Sequence, residues 1–259
     1  MLIFFDIDGT LLINPFDPMP DSTIRAIAQA RANGHICMIN TGRSLKLVGE
    51  EITGQTEFDG LLLGCGTMIT YRGDVLLHRT FHAEEAKRIV EGLQRNGIDA
   101  VLEGAENNFL APEEEMFHAR WIEYIRKFTD MSYGTYEEAT EHFDKFYAYV
   151  ENREKMDVFM REFADLLDVV DRSKGYFELM PKGCSKASAM EYVAEYLGIP
   201  MTETVAIGDG ANDIPMLECA HYAIVMGNAP EEVKKLADFV TTDVDKDGIE
   251  NALKWLGVI

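Results

Sequence analysis

The sequence predicts an α/β protein: a parallel sheet covered by helices, with a second α+β module inserted into it. Two observations carry this. Short apolar runs alternate with helix-length amphipathic stretches near both ends of the chain, the βαβ rhythm that closes into a parallel sheet through right-handed crossovers. Between residues 82 and 181 the rhythm changes to helices and strands of an antiparallel kind, so that residues 1–81 and 182–259 form one domain and 82–181 another.

In chain order, "LIFF" is a buried strand. Asp21 or Ser22 then caps a helix through Asn33 whose apolar face is Ile24, Ile27 and Ala28, and Gly34 ends it. "HICMIN" is the second strand, Leu45 to Ile52 a short helix and "GLLLG" the third strand. "MITYRGDVLLHRTF" then reads as two strands around the turn Arg72-Gly73-Asp74. The insert follows as a helix over 83–95, a strand near Ile98 to Leu102 and a helix from Glu113 to Phe128. The strand "KFYAYV", a helix from Arg153 to Leu167 and the strand "GYFELM" complete it. Beyond Pro181 the first pattern resumes with a helix over 185–197, "TVAIG", a helix over 214–219, "YAIVM", a helix over 230–237 and a terminal helix from Ile249.

Composition excludes several function classes. Acids outnumber bases 45 to 24, a formal net charge of -21. A nucleic-acid or anionic-membrane partner needs a concentrated Lys/Arg surface, so neither is expected. Met1 runs directly into a strand, and no apolar stretch approaches the ~18 residues that span a bilayer, so a cytoplasmic protein is expected. Cys37, Cys65, Cys184 and Cys219 form no C-x-x-C pair and read as free thiols.

Three strands deliver polar residues at their carboxyl ends: Asp6 and Asp8 after "LIFF", Thr41 after "HICMIN", and Asp209, Asn212 and Asp213 in "GDGAND" after "TVAIG". In an open α/β sheet that edge is where ligands bind. Asp6, Asp8 and Asp209 would there surround one point, and close carboxylates are tolerable around a hard cation such as Mg²⁺. Thr41, Gly42, Arg43 and Lys186 add a hydroxyl, backbone N–H groups and cations, the makings of a phosphoryl cradle. Asp6 is then placed to attack phosphorus, and Asp8 to protonate the leaving oxygen and later activate water.

At these residues, "DIDGT", the Thr of "NTGR", Lys186 in "KGCSK" and "GDGAND", the chain resembles the haloacid dehalogenase superfamily. The large insert makes it similar to the Cof-type, class IIB sugar-phosphatase branch. The resemblance implies a Rossmann-like core with a class C2 α+β cap and a Mg²⁺-dependent phosphatase acting on a small phosphorylated metabolite such as a sugar phosphate. It implies Asp6 as the nucleophile forming an aspartyl-phosphate and as a metal ligand. Asp8 would be the acid/base, lending the metal its backbone carbonyl. Thr41 and Lys186 would hold the phosphoryl oxygens, with Gly42, Arg43 and Asn212 in the same cradle, and Asp209 and Asp213 would complete the metal site. A monomer or weak homodimer is expected. Two alternatives stand beside this: a phosphosugar mutase of the same superfamily, and a non-catalytic metal- or metabolite-binding regulator. Where many relatives carry Asn-Gly-Ala after the third strand, this chain has Cys65-Gly66-Thr67.

Overall fold

Eight strands make the main sheet of the computed structural model, in spatial order Phe239–Val240, Tyr222–Val225, Thr204–Gly208, Leu2–Phe5, Ile36–Asn40, Gly60–Leu63, Met68–Tyr71 and Asp74–His78. The first six of these are mutually parallel, and the last two add an antiparallel edge. Leu2–Phe5 lies centrally between Thr204–Gly208 and Ile36–Asn40 with all four residues buried, which is why it reads as a continuous apolar run rather than an alternating one. The structure describes residues 1–15, 17–128, 133–140 and 142–259, with the side chains of residues 50 and 51 excepted.

The chain divides into two compact units. One comprises Met1–Arg43, Leu47–His78 and Ser185–Ile259, the other Ser44–Lys46 and Arg79–Cys184. The first holds the parallel sheet. Its hairpin turns at Arg72 and Gly73, both with positive φ (49° and 90°), the geometry that matches strand twist in a two-residue loop. Two helix expectations near its start change. Asp21 opens the Asp21–Ala32 helix from within its first turn, because Pro20 occupies the capping position. Leu45 to Ile52 is a 3₁₀ turn (Leu45–Leu47) followed by a four-residue helix, Glu50–Thr53.

The second unit is a six-stranded sheet in the order Leu167–Asp171, Tyr176–Pro181, Lys145–Tyr149, Asp99–Glu103, Asn108–Leu110, Tyr133–Gly134. All pairings but the last are antiparallel. The helices Ala83–Asn96 and Arg153–Glu162 cover one face through Ile89, Leu93, Phe146, Phe159 and Leu179. Trp121 and Tyr149 pack together with Val101 in a separate cluster. Three strands of this sheet, Asn108–Leu110, Tyr133–Gly134 and Leu167–Asp171, were not expected. The anticipated helix Glu113 to Phe128 is instead a 3₁₀ turn at Glu113–Glu115, the helix Ala119–Ile125 and a second 3₁₀ turn.

Candidate active site

The first unit brings the residues singled out above, Lys186 excepted, to the carboxyl ends of its strands. Parallel pairing continues one step past Leu2–Phe5, the Asp6 N–H donating to the Ile207 carbonyl at 3.0 Å. This fixes the Asp6 backbone against the strand that delivers Asp209. The chain then turns sharply, with the N–H groups of Thr10, Leu11 and Leu12 all donating to the Ile7 carbonyl. Gly9 sits at φ +82°, and a Cβ built there would lie 2.2 Å from an Asp209 carboxylate oxygen. Glycine is required twice over, for the backbone angle and for the approach of Asp209.

Lys186 comes instead from the first turn of a helix. Ser185 caps the helix Lys186–Leu197 by a reciprocal pair with Ser188, each hydroxyl accepting the other's N–H (3.0 and 2.9 Å). The helix start is tied to the sheet by the Asn40 side-chain amide, which donates to the Lys186 carbonyl at 2.9 Å. A cation in a first helical turn works against the helix dipole. Here two carboxylates outweigh it: the fully buried Lys186 ammonium donates to Asp6 Oδ1 at 2.6 Å and to Asp213 Oδ1.

Asp213 is also the keystone of the "GDGAND" loop. Its second oxygen accepts the N–H groups of Asp209 and Gly210 at 2.9 and 2.8 Å, which folds the loop around the carboxylate. Asp209 projects beside it and accepts from the Thr10 hydroxyl at 3.2 Å. Carboxylate oxygens of Asp6, Asp209 and Asp213 lie within 4.8 Å of one another. Asn212 is half-buried in the same loop.

The electrostatics follow from this crowding. Burial, and then the Asp213 charge, push the Asp6 carboxyl up to about 8 against the pull of Lys186. Burial and Asp213 likewise raise Asp209 to about 6, with the Thr10 hydroxyl opposing. Burial disfavours the Lys186 ammonium, yet Asp213 and Asp6 together hold its pKa above the ordinary lysine value. One lysine thus leaves the three-carboxylate cluster short of positive charge. An all-oxygen donor set with that deficit fits a hard divalent cation held by Asp6, Asp209 and Asp213.

Three residues sit otherwise than a simple cradle suggests. Thr41 is buried, its N–H donating to the Leu62 carbonyl at 2.9 Å and its hydroxyl oxygen accepting the Arg43 N–H at 3.2 Å, which leaves the hydroxyl proton to donate. Arg43 grips the Asp8 carboxylate from two nitrogens, Nε to Oδ2 at 2.9 Å and Nη2 to Oδ1 at 2.5 Å. The Asp8 side chain is therefore turned to Arg43. Cys65 is buried with φ 55°, a left-handed conformation that a residue other than glycine seldom adopts. One residue went unread in the sequence. Asn228 follows the Tyr222–Val225 strand on the same sheet edge; it donates to the Gly9 carbonyl at 2.8 Å and accepts the Val244 N–H at 3.2 Å. Its signal was the turn "MGNAP" at that strand's carboxyl end.

A parallel sheet that gathers an acidic cluster, a buried lysine and a strand-end threonine at its ligand-binding edge carries the groups that a phosphoryl-transfer site uses. The chain belongs to the haloacid dehalogenase-like hydrolase family, whose profile matches residues 3–253. It is 30% identical over 259 residues to the Bacillus subtilis protein named "Putative phosphatase YkrA", covering 100% of this chain and 98% of that one. The 5-amino-6-(5-phospho-D-ribitylamino)uracil phosphatase YcsE of the same organism is 27% identical over 258 residues, 98% of this chain and 95% of YcsE. The solved HAD subclass IIB sugar phosphatase BT4131 superposes with a TM-score of 0.85 at 27% identity, covering 100% of this chain and 99% of that structure. No described helix is long and apolar enough to cross a membrane.

Proposed function

We propose that this phosphatase hydrolyses a phosphate monoester of a small metabolite, a sugar phosphate by preference, through an aspartyl-phosphate on Asp6. The observation that carries the reading is the placement of Asp6: a buried carboxylate at the end of the central strand, hydrogen-bonded by Lys186 and two residues before a half-exposed Asp8. The likeness to a sugar phosphatase supports the substrate class.

In this reading an Asp6 oxygen attacks phosphorus and the bond to the leaving oxygen breaks. Asp8 gives that oxygen a proton, so the alcohol departs neutral. Water then attacks the phosphorus of the acyl phosphate while Asp8 takes its proton, and the phosphorus–oxygen bond to Asp6 breaks to release inorganic phosphate. The Lys186 ammonium and the Thr41 hydroxyl proton are the donors for the transferring oxygens, with the Gly42 backbone and Asn212 beside them. Mg²⁺ held by Asp6, Asp209 and Asp213, and by the Asp8 backbone carbonyl, would supply charge neutralisation at the transferring group. Burial of Asp6 and Lys186 excludes bulk water from the nucleophile.

The test is a panel of phosphorylated metabolites assayed for released phosphate with MgCl₂ and, after metal stripping, in excess EDTA. Turnover that needs Mg²⁺ and falls by more than about 10³-fold in Asp6→Asn is expected. Undiminished turnover in EDTA, or an active Asp6→Asn, overturns it.

A further inference from the structure

We propose that Arg43 is a positioning residue for Asp8: it holds the acid/base carboxylate in one orientation and is not itself a ligand of the phosphoryl group. The inference rests on the reading of Asp8 as acid/base given above.

Every nitrogen of the guanidinium is committed to a protein acceptor. Nε and Nη2 take the two Asp8 oxygens, Nη1 donates to the Leu47 carbonyl at 3.3 Å, and Nη2 also reaches the Pro15 carbonyl at 3.4 Å. The two carbonyls come from separate segments, the loop after the first strand and the turn at Leu45–Leu47, so the plane of the guanidinium is set before Asp8 meets it. A bidentate fork in a set plane fixes both torsions of an aspartate, which a point charge cannot do. Exposure separates the partners: the Arg43 side chain is 12% exposed and that of Asp8 47%. The arginine stands behind the carboxylate, and the carboxylate faces outward. Each carboxylate oxygen keeps a second lone pair after accepting one N–H, so the grip leaves Asp8 able to meet a leaving-group oxygen or a water. Asp8 lies in a turn just past the strand end, its backbone held by a bridge to Leu12 and its side chain by Arg43. Misplacing a proton-transfer group by an ångström is costly, and that is the loss Arg43 prevents.

A positioning role and a phosphate-binding role separate experimentally. With p-nitrophenyl phosphate as substrate, Arg43→Ala is expected to lower kcat by roughly 10- to 100-fold, part of the proton-transfer contribution, with KM falling alongside it as phosphoenzyme accumulates and the inhibition constant of inorganic phosphate within about threefold of wild type. Because the activated leaving group needs little protonation, the variant should show a burst of p-nitrophenol before the slow phase in which water attacks. Added guanidinium ion should restore part of kcat to Arg43→Ala. Arg43→Lys, which keeps the charge but not the fork, should fall between the two in kcat. Asp8→Asn/Arg43→Ala should be no slower than Asp8→Asn alone, since a residue acting through another adds nothing once the other is gone.

Weakened phosphate inhibition at unchanged kcat, or losses that multiply in the double variant, would overturn the proposal and return Arg43 to the phosphoryl cradle. Should Arg43→Ala not fold, the same comparison of kcat with phosphate inhibition is made on Arg43→Lys. If Asp8→Asn itself turns over at the wild-type rate, the acid/base reading falls, and that result is separate from any obtained with Arg43.

Discussion

The two aspartates that follow the first strand differ in every property that matters to their roles, although one residue separates them. Asp6 is buried, bonded to Lys186 and clustered with two other carboxylates; Asp8 is half-exposed and bonded to Arg43. Their variants should therefore fail differently. Asp6→Asn removes the attacking oxygen and one member of the cation site, so neither a burst with p-nitrophenyl phosphate nor normal Mg²⁺ binding is expected. Asp8→Asn leaves the carboxylate cluster intact, so Mg²⁺ should still bind, while slowed proton transfer costs about 10² to 10⁴ in turnover. Rapid-quench measurement should give a p-nitrophenol burst for Asp8→Asn alone. Equal bursts in both, or Mg²⁺ affinity lost only in Asp8→Asn, would reverse the assignment.

Among the elements, the helix Lys186–Leu197 shows how local sequence places chemistry. The run S-K-A-S carries its own cap, because Ser185 and Ser188 satisfy each other's N–H, and Gly198 in a left-handed conformation (φ 66°) ends the helix. Ser185→Ala should cost about 1 kcal/mol, a fall in Tm of about 2–4 °C. Because Lys186 is the first helical residue, turnover should drop as well; a melting curve paired with a kinetic assay checks both. An undisturbed Tm would show the cap to be redundant. This helix and five of the six parallel strands were legible because each is a local pattern, an uninterrupted apolar run or a cap followed by an apolar face; the two-residue edge strand Phe239–Val240 is too short to show one and was not read. The three unread strands of the six-stranded sheet lacked such a pattern. Asn108–Leu110 has three residues and Tyr133–Gly134 two, too few to show a period. Leu167–Asp171 follows Phe163 and Leu166 at helical spacing, so the sequence reads on as helix where the chain in fact breaks at Phe163 to form an edge strand. At the site, the residues at strand ends were legible and their pairings were not. That Arg43 meets Asp8, or Asn228 the Gly9 carbonyl, depends on contacts 35 and 219 residues apart, which no local period encodes.

At the scale of the whole molecule, the cluster makes stability depend on pH in a direction opposite to the usual acidic protein. Carboxylates stabilised in the folded state lower their pKa and add stability as pH rises. Asp6 and Asp209 are raised instead, to about 8 and about 6, by burial first and the Asp213 charge second. Between about pH 4, where an unfolded aspartate titrates, and these values, the folded protein holds protons that the unfolded chain has released. Stability from these groups is thus fully present below pH 4 and is lost as pH rises through 6 and on to 8. A tenfold difference in proton affinity between the folded and unfolded states is worth about 1.4 kcal/mol, so Asp209 alone accounts for on the order of 3 kcal/mol. The formal charge of -21 adds self-repulsion in the same direction, so the decline must be isolated by comparison rather than read from one curve. In EDTA, the Tm of the wild type should fall more steeply from pH 5 to pH 8 than that of Asp209→Asn, which has no carboxyl to deprotonate. Mg²⁺ competes with those protons and stabilises the folded state by mass action. Its addition should raise the wild-type Tm more at pH 8 than at pH 5.5, and raise that of Asp209→Asn little at either. Parallel slopes for the two proteins in EDTA, or a Mg²⁺ effect independent of pH, would show that the carboxylates share their charge without holding extra protons.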